Sequence, residues 1–219
     1  MTIRNLSFML KPASVALIAD SQWSSPIGGV VVKNLLNAGF RGKIFAVKPG
    51  GSSVAGVATY PDIESLPEAP DLAILLTAPP DRPDGISRLG TIGTKAAVII
   101  SIEGKTATSE HGSALRAAVL EAAKPHRMRI IGPGSVGIMT PGAFLNASLA
   151  HVQPLRGNLA FVAQSGAVLT SVLDWATCRD VGFSHLVCLG GMIDVDYSDL
   201  LDYLANDPNT QAILLHLEA

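Results

Sequence analysis

The sequence lacks the features of several classes of protein. Charged residues make up only 16% of the 219 residues, the formal net charge is -2, and no block of lysine or arginine occurs. Nucleic-acid-binding proteins concentrate such residues on one face, so we expect no nucleic-acid partner. No apolar run reaches the roughly 18 residues that span a bilayer, and the N-terminal segment lacks the apolar core of a secretory signal. We therefore expect no membrane partner.

Cysteine is scarce, and its spacing excludes further kinds of site. Cys178 and Cys188 form neither a CxxC pair nor a spacing typical of metal ligands. A cytoplasmic protein with reduced thiols and no metal site is the simplest interpretation. The charge content lies below the usual value of about a quarter. This indicates that a partner domain or subunit covers part of the surface, as in an oligomer.

What the sequence does contain is an alternation of short apolar runs with amphipathic helical stretches, which is typical of βαβ units and a mostly parallel sheet. The first series predicts strands at 14–19, 43–47, 72–77, 96–101 and 128–131, and helices at about 27–38 and 109–123. Residues 140–157 then carry prolines and glycines without a clear period. We assign residues 1–139 to a first domain and 140–157 to a linker.

A second, shorter series follows the linker. It predicts strands at 159–163, 183–189 and 212–217, and helices at 166–177 and 198–205, so we assign residues 158–219 to a partial second domain. Three strands make a small sheet, since about five to six strands are usual, and the last strand would expose an apolar edge. The pattern therefore predicts that the natural protein continues past Ala219.

Ligands of open α/β sheets bind at the carboxyl ends of the strands, so the loops there carry the candidate site. The loop after the first strand contains Ser24 and Ser25 and opens a helix at Ile27 and Gly28. Free backbone N–H groups at a helix start can hold a phosphate, although an ordinary βα turn has the same residues. The loop has no GxGxxG motif, so it gives little support for a dinucleotide site.

The loops after the second, fourth and fifth strands add further candidates. Lys48 follows the second strand, where NAD sites usually carry an acidic residue that binds the ribose. Its charge suits a phosphate, but a solvated surface lysine is the alternative. Ser101 and Glu103 follow the fourth strand. The turn Gly132-Pro133-Gly134 follows the fifth, where glycine either lets the backbone approach a ligand closely or forms a tight turn at the domain boundary.

The sharpest local signal is Gln164-Ser165-Gly166, between a predicted strand and a predicted helix. Gln164 and Ser165 can cap the helix, and Gly166 removes a side chain where an anion would approach. A helix start attracts negative charge through its free N–H groups and its macrodipole. A plain serine N-cap, which contributes about 1 kcal/mol of helix stability, explains the same residues.

Two other groups of residues are weaker candidates. Asp194, Asp196 and Asp199 form an acidic cluster, but Tyr197 and Ser198 beside them favour a helix start with favourable charges over a metal site. None of the five histidines has an evident acid or metal partner in the sequence.

Several segments, taken together in their order and spacing, point to one known family. They are Pro12–Ala16, Asn34–Phe40, Leu66–Ala73, Met128–Pro133, Gln164–Ala167, Asp174–Ala176, Gly182–Ser184 and Asp207–Pro208. This set resembles the N-terminal part of the NDP-forming acyl-CoA synthetases, which are related to the succinyl-CoA synthetase alpha subunit. The resemblance covers about Ser7 to Glu218.

The resemblance implies an α/β fold in which a Rossmann-like domain that binds coenzyme A (CoA) precedes the first half of a flavodoxin-like domain of the succinyl-CoA-synthetase type. It implies that CoA or acyl-CoA contacts four strand-end loops, the last of them near the thiol. The corresponding residues are Ser24, Ser25, Ile27, Gly28, Lys48, Ser101, Glu103, Gly132, Pro133 and Gly134. It further implies that Gln164, Ser165 and Gly166 hold the phosphate of a phosphohistidine, which Glu218 orients as a catalytic acid.

The reaction implied by the resemblance converts acyl-CoA, NDP and phosphate reversibly into acid, CoA and NTP through the phosphohistidine. The resemblance places the histidine beyond Ala219. It places ADP or ATP, with Mg, in a nucleotide-grasp domain or subunit outside this chain. The fragment by itself is therefore expected to bind CoA without turnover.

The chain departs from the family pattern at Asp20, Lys48, Gly134, Ala163 and Gly191. A carboxylate at Asp20 would repel CoA phosphates, and the other departures remove amide or hydroxyl groups near the chemistry. These departures keep a second interpretation open, the regulatory CoA-binding region of a GNAT-type protein lysine acetyltransferase. A third is an unrelated Rossmann function such as nicotinamide binding.

Overall fold

The computed structural model describes residues 3–19, 26–50, 55–101 and 110–218, and the side chains of these residues except 26, 27, 110 and 111. The helices are α1 (Leu6–Leu10), α2 (Pro26–Asn37), α3 (Arg82–Ile92), α4 (Glu110–Ala123), α5 (Gly166–Thr177) and α6 (Tyr197–Ala205). The strands are β1 (Ser14–Ile18), β2 (Lys43–Val47), β3 (Ala58–Tyr60), β4 (Leu72–Leu75), β5 (Ala96–Ile100), β6 (Arg129–Ser135), β7 (Gly137–Thr140), β8 (Leu145–Ser148), β9 (Arg156–Ala163), β10 (Phe183–Cys188) and β11 (Ala212–His216).

The first sheet is fully parallel in the order β3-β2-β1-β4-β5-β6. Every residue of β1, β4 and β5 is buried, as expected for strands covered on both faces. Helix α2 ends where Gly39 takes a positive φ of 72°. The Phe40 N–H then donates to the Leu35 carbonyl, which is the glycine C-cap predicted from the sequence.

The second sheet has the order β11-β9-β10-β7-β8, and it is larger than the sequence pattern indicated. Strands β9, β10 and β11 are parallel, whereas β7 runs antiparallel to both β10 and β8. The three strands predicted after residue 158 are confirmed as β9, β10 and β11, but β7 and β8 were missed. Each has only four residues, and the turn at Pro141–Ala143 hides their alternation. Residues 140–157, expected to be a linker, therefore contain β8, and the position of the domain boundary stays a prediction.

Three other elements were absent from the sequence-based prediction. Helix α1 has only five residues and β3 only three, too few to show a period. Helix α3 is buried at Gly85 and Gly90 as well as at Ile86 and Leu89, so glycines replace part of its apolar stripe. Local propensity is only a weak determinant of secondary structure. Burial against the rest of the protein therefore stabilises these three elements.

The two sheets share an apolar core. Leu6, Met9 and Leu10 of α1 are fully buried in a cluster that also contains Val15 and Leu17 of β1 and residues of the second sheet, including Ile138, Ala147, Val162 and Val187. The opposite face of the first sheet packs on α3 and α4, and the opposite face of the second packs on α5. The chain thus has an α/β fold in which a Rossmann-like parallel sheet is followed by a second sheet. Among the described residues, no helix has the length and apolar character needed to cross a membrane.

Candidate functional site

The carboxyl ends of the parallel strands of the first sheet bring several candidate residues to one edge. Gly28 lies in the first turn of α2 and is buried; the structure gives only the backbone of Ile27. Ser24, Ser25 and Glu103 lie outside the described residues, as does Asp20. The first turn of α2 carries no acidic residue, so no carboxylate of its own offsets the positive end of the helix dipole.

Lys48 and Ser101 mark two positions along this edge. Lys48 follows β2, is half-buried, and its backbone N–H donates to the Tyr60 carbonyl at 2.8 Å. Ser101 follows β5, three strand positions away in the order β2-β1-β4-β5, which corresponds to about 14 Å. An extended ligand is needed to contact both residues at once.

The turn Gly132-Pro133-Gly134 forms the end of β6 and contacts Ser101. The Gly134 N–H donates to Ser101 Oγ at 2.9 Å, and the Ser101 N–H donates to the Ser135 carbonyl at 3.2 Å. A Cβ atom on Gly132 would lie 2.4 Å from the Ile99 carbonyl oxygen. Glycine at this position is therefore required by close packing within the protein.

The same turn packs against the turn after β10, so the two sheets meet at their carboxyl ends. The Gly191 N–H donates to the Pro133 carbonyl at 2.6 Å, and the Gly132 N–H donates to the Leu189 carbonyl at 3.2 Å. A Cβ atom on Gly190 would lie 2.5 Å from the Pro133 carbonyl oxygen. This close contact places the Gly132-Pro133-Gly134 turn beside the second sheet.

Gln164, Ser165 and Gly166 form the start of α5, as predicted. Ser165 is the N-cap, and its hydroxyl accepts a long hydrogen bond from the Val168 N–H at 3.5 Å. The first turn of α5 carries no acidic residue, so this helix start also remains open to an external negative charge.

The structure gives a packing reason for glycine at position 166 that the sequence did not show. A Cβ atom on Gly166 would lie 2.4 Å from Cγ1 of Val136. The space that a side chain would take is therefore filled by Val136, which follows β6, and not by open solvent.

Glu218 lies next to Gln164 because β11 pairs with β9 in parallel, with His216 opposite Ala163. The Gln164 N–H donates to the His216 carbonyl at 3.2 Å, and the Glu218 N–H donates to Gln164 Oε1 at 3.3 Å. Glu218 itself is exposed. The carboxylate named from the family resemblance is therefore adjacent to the start of α5.

Cys188 lies beneath this group, and sequence reasoning did not place it there. It is fully buried, and its thiol donates to the Gln164 carbonyl at 3.6 Å. Burial raises the pKa of the Cys188 thiol. Since the thiolate is the nucleophile, this cysteine is a packing residue at neutral pH.

The acidic cluster has a structural role. Asp194 and Asp199 accept hydrogen bonds from the guanidinium of Arg129 at 2.9 and 2.6 Å. Asp196 caps α6, where its side chain accepts from the Asp199 N–H, and hydrogen bonding from Ser198 lowers its pKa. No group of three or more potential metal ligands occurs in the part of the chain that the structure describes.

Chemically, the edge is suited to an elongated anion. It has two helix starts without acidic residues in their first turns, in α2 and α5, the half-buried Lys48 after β2, and a closely packed glycine turn that joins the two sheets. A phosphate-bearing ligand that spans several strand ends fits this arrangement.

Comparison with known proteins identifies the two parts of the chain. A family model described as "CoA binding domain" matches residues 13–141, and one described as "Succinyl-CoA ligase like flavodoxin domain" matches residues 156–219. The chain is 35% identical over 207 residues to the ADP-forming acetate–CoA ligase I of Archaeoglobus fulgidus, and covers 30% of that relative with 94% of its own length. It is 33% identical to the subunit alpha of the ADP-forming acetate–CoA ligase I of Pyrococcus furiosus, with 98% of this chain covering 47% of that subunit.

A solved structure agrees with these relatives. The dinucleotide-forming acetyl-coenzyme A synthetase 1 of Candidatus Korarchaeum cryptofilum, in complex with phosphate and ADP, superposes with a TM-score of 0.90 at 31% identity; the match covers 98% of this chain and 46% of that chain. The present chain thus spans less than half of the relatives that it matches. It belongs to the NDP-forming acyl-CoA synthetase family, and it matches the CoA-binding domain and, after it, the succinyl-CoA-ligase-like flavodoxin domain.

Proposed function

We propose that this chain is the CoA-binding part of an NDP-forming acyl-CoA synthetase, which interconverts acyl-CoA, NDP and phosphate with acid, CoA and NTP. The observation that carries this proposal is the contact between the turn Gly132-Pro133-Gly134 and the turn after β10, which joins the carboxyl ends of the two sheets near the acid-free start of α5. The acid-free start of α2 follows β1 on the same edge of the first sheet, three strand positions from β6. The relatives named as ADP-forming acetate–CoA ligases support the same reaction class.

CoA or acyl-CoA is the proposed ligand of the first sheet. Its phosphates lie at the start of α2, with Ser24, Ser25, Ile27 and Gly28 around them and the Lys48 ammonium nearby. Its pantetheine arm runs along the strand ends toward Ser101 and Glu103. The thiol end reaches the turn Gly132-Pro133-Gly134, whose contact with the second sheet brings the reacting group toward α5.

The start of α5 is the proposed phosphoryl site. Gln164, Ser165 and Gly166 present backbone N–H groups and a hydroxyl to a phosphoryl group carried by a histidine outside these 219 residues. Glu218 orients that histidine, a role that its exposed carboxylate and its contact with Gln164 support. Phosphoryl binding at the start of α5 and orientation of the histidine by Glu218 are both compatible with the packing of Gly166 against Val136.

The remaining parts of the reaction are assigned to a partner. A nucleotide-grasp domain or subunit binds ADP or ATP with Mg, and the assembled protein is a cytoplasmic oligomer. The naming of one relative as a subunit alpha supports a multi-subunit arrangement. The relatives described above give no support to a regulatory role in a protein lysine acetyltransferase, and no observation on the described residues favours it.

Calorimetry with CoA, acetyl-CoA and NADH tests this function. We expect saturable binding of CoA and acetyl-CoA and no binding of NADH at comparable concentrations. Replacing Lys48 with Glu reverses a charge beside the phosphates and should weaken CoA binding by about tenfold or more, since a hydrogen bond to a charged group contributes about 1.5–3 kcal/mol. The matched control is Lys43→Glu, at the opposite end of β2. Binding of NADH in preference to CoA would contradict the proposal.

A further inference from the structure

A cavity lies at the amino ends of the parallel strands of the second sheet, and the proposed function does not use it. Its volume is about 350 Å³, at the lower end of the range for small-molecule sites. Its lining includes Lys11, Thr140, Gly142, Arg156, Ser184 and His185. The candidate phosphoryl site lies at the other end of β9, whose eight residues span about 23 Å.

Two polar side chains in the wall of this cavity are buried without a hydrogen-bond partner. Thr140 and His185 are only 2% and 1% exposed. The hydroxyl of Thr140 and both ring nitrogens of His185 have no partner among the described residues. The nearest acid is Asp207, whose Oδ2 lies 3.7 Å from His185 Nδ1, too far for a hydrogen bond. Buried polar groups are nearly always satisfied, so these groups indicate a ligand that supplies the missing partners.

A β-bulge explains how adjacent residues of β10 both line the cavity. The pairing of β10 with β9 shifts between Phe183 and His185, which leaves Ser184 as the extra residue. A bulge redirects side chains from the normal alternation of a strand. Ser184 and His185 consequently share one wall of the cavity.

Two cations, Lys11 and Arg156, occur among the described residues that line the cavity, and they differ in their partners. Lys11 pairs with Asp207 at 2.7 Å, and the side chain of Asp207 also accepts hydrogen bonds from Thr210 and Asn209. Arg156 is exposed, and no ion pair to it is found within the described residues. Its Nε lies 3.9 Å from the position of a Cβ on Gly142, another lining residue. The guanidinium is therefore at the cavity and open to an anion.

We propose that this cavity binds a small organic carboxylate, whose anionic end pairs with Arg156 and whose oxygen atoms accept hydrogen bonds from Thr140 and His185. The site is separate from the CoA and phosphoryl sites and does not depend on the proposed function. A planar carboxylate matches the two parallel N–H groups of a guanidinium. The small, largely uncharged remainder of the lining accommodates an apolar body.

The protonation of His185 agrees with a singly charged ligand. Burial lowers the pKa of His185 to about 4, with Asp207 and Lys11 acting in opposite directions, so the ring is neutral near pH 7. A neutral imidazole offers one donor and one acceptor. A phosphate dianion would need more positive charge than Arg156 and the paired Lys11 provide.

Nuclear magnetic resonance with histidine-labelled protein tests the inference, because His185 reports on this cavity and not on the CoA site. The probes are acetate, butyrate, benzoate and inorganic phosphate, each titrated to about 10 mM, a range that detects dissociation constants near 1 mM. We expect at least one carboxylate to shift the His185 ring signals saturably. Phosphate that binds more tightly than every carboxylate, or no saturable shift with any probe, would overturn the proposal.

Substitutions of the lining residues distinguish carboxylate binding in this cavity from unspecific binding elsewhere on the protein. Arg156→Gln and Thr140→Val should each weaken carboxylate binding by about tenfold or more, as expected for loss of a hydrogen bond to a charged group. Lys124→Gln, which removes an exposed cation after α4, on the face of the first sheet that packs away from the second sheet, should leave it unchanged. The affinity for CoA should stay unchanged in all three variants. Equal carboxylate affinity in wild type and both cavity variants would refute the assignment.

Discussion

Helices α5 and α6 begin at the same end of the second sheet, yet their first turns are built in different ways. The start of α6 is closed by its own acids: Asp196 and Asp199 form a reciprocal capping box, and Asp199 also pairs with the buried Arg129. The start of α5 has a single serine cap with a 3.5 Å hydrogen bond and no acid in its first turn. The first turn of α2 is likewise free of acids.

This difference separates a structural helix start from one that can bind an anion. Carboxylates in a first turn satisfy the free N–H groups and the positive end of the dipole from within the protein. Where they are absent, the same groups remain available to a ligand. Arg129 lies in β6 of the first sheet, and its ion pairs with Asp194 and Asp199 link this strand to the start of α6.

The largest effect that we expect from this comparison comes from removing Arg129. Arg129→Ala leaves the carboxylates of Asp194 and Asp199 without their cation, and breaking such a buried pair costs about 3–5 kcal/mol. Chemical denaturation should show this loss in the free energy of unfolding. The matched control is Arg88→Ala, whose exposed pair with Glu64 should contribute about 1 kcal/mol or less. Similar losses in both variants would contradict a structural role for the acidic cluster.

An intermediate effect is expected at Gly166. Gly166→Ala places a methyl group 2.4 Å from Val136, and overpacking of this kind costs about 1–3 kcal/mol. Gly29→Ala is the control, since a Cβ at Gly29 has no heavy atom within 4 Å. In that helix the change should be neutral or stabilising. The double variant Gly166→Ala with Val136→Ala should recover part of the stability, and no recovery would show that another contact limits the site.

The smallest effect concerns the two caps themselves. Asp196→Ala should cost about 1 kcal/mol, and Ser165→Ala less, because its hydrogen bond is longer. The pKa of Asp196 is lowered in the folded protein. The stability that its carboxylate contributes is therefore fully present above the unfolded pKa of about 3.9, and it is lost as the pH falls through the folded pKa. Denaturation at neutral and strongly acidic pH should therefore show a difference between wild type and Asp196→Ala that shrinks in acid. A difference that is independent of pH would contradict the assigned cap.

The sequence predicted the long, strongly periodic elements and the strand-end loops, because those signals are local. It did not predict β7 and β8, which are stabilised by pairing with β10 and with each other. Nor could it show that Val136 fills the space at Gly166, or that Arg129 meets two acids 65 and 70 residues away. Likewise, the proximity of Glu218 to Gln164 depends on the parallel pairing of β11 with β9, which no local pattern specifies.

The central claim, that the acid-free start of α2 binds the phosphates of CoA, is tested most directly by Gly29→Glu. Gly29 lies in the first turn of α2, where an added carboxylate should stabilise the helix by about 0.3–1 kcal/mol and at the same time repel the CoA phosphates. We predict higher thermal stability together with at least about tenfold weaker CoA binding, whereas Asn37→Glu, at the other end of the helix, leaves the affinity unchanged. Equal CoA affinity in wild type and both variants would contradict the account.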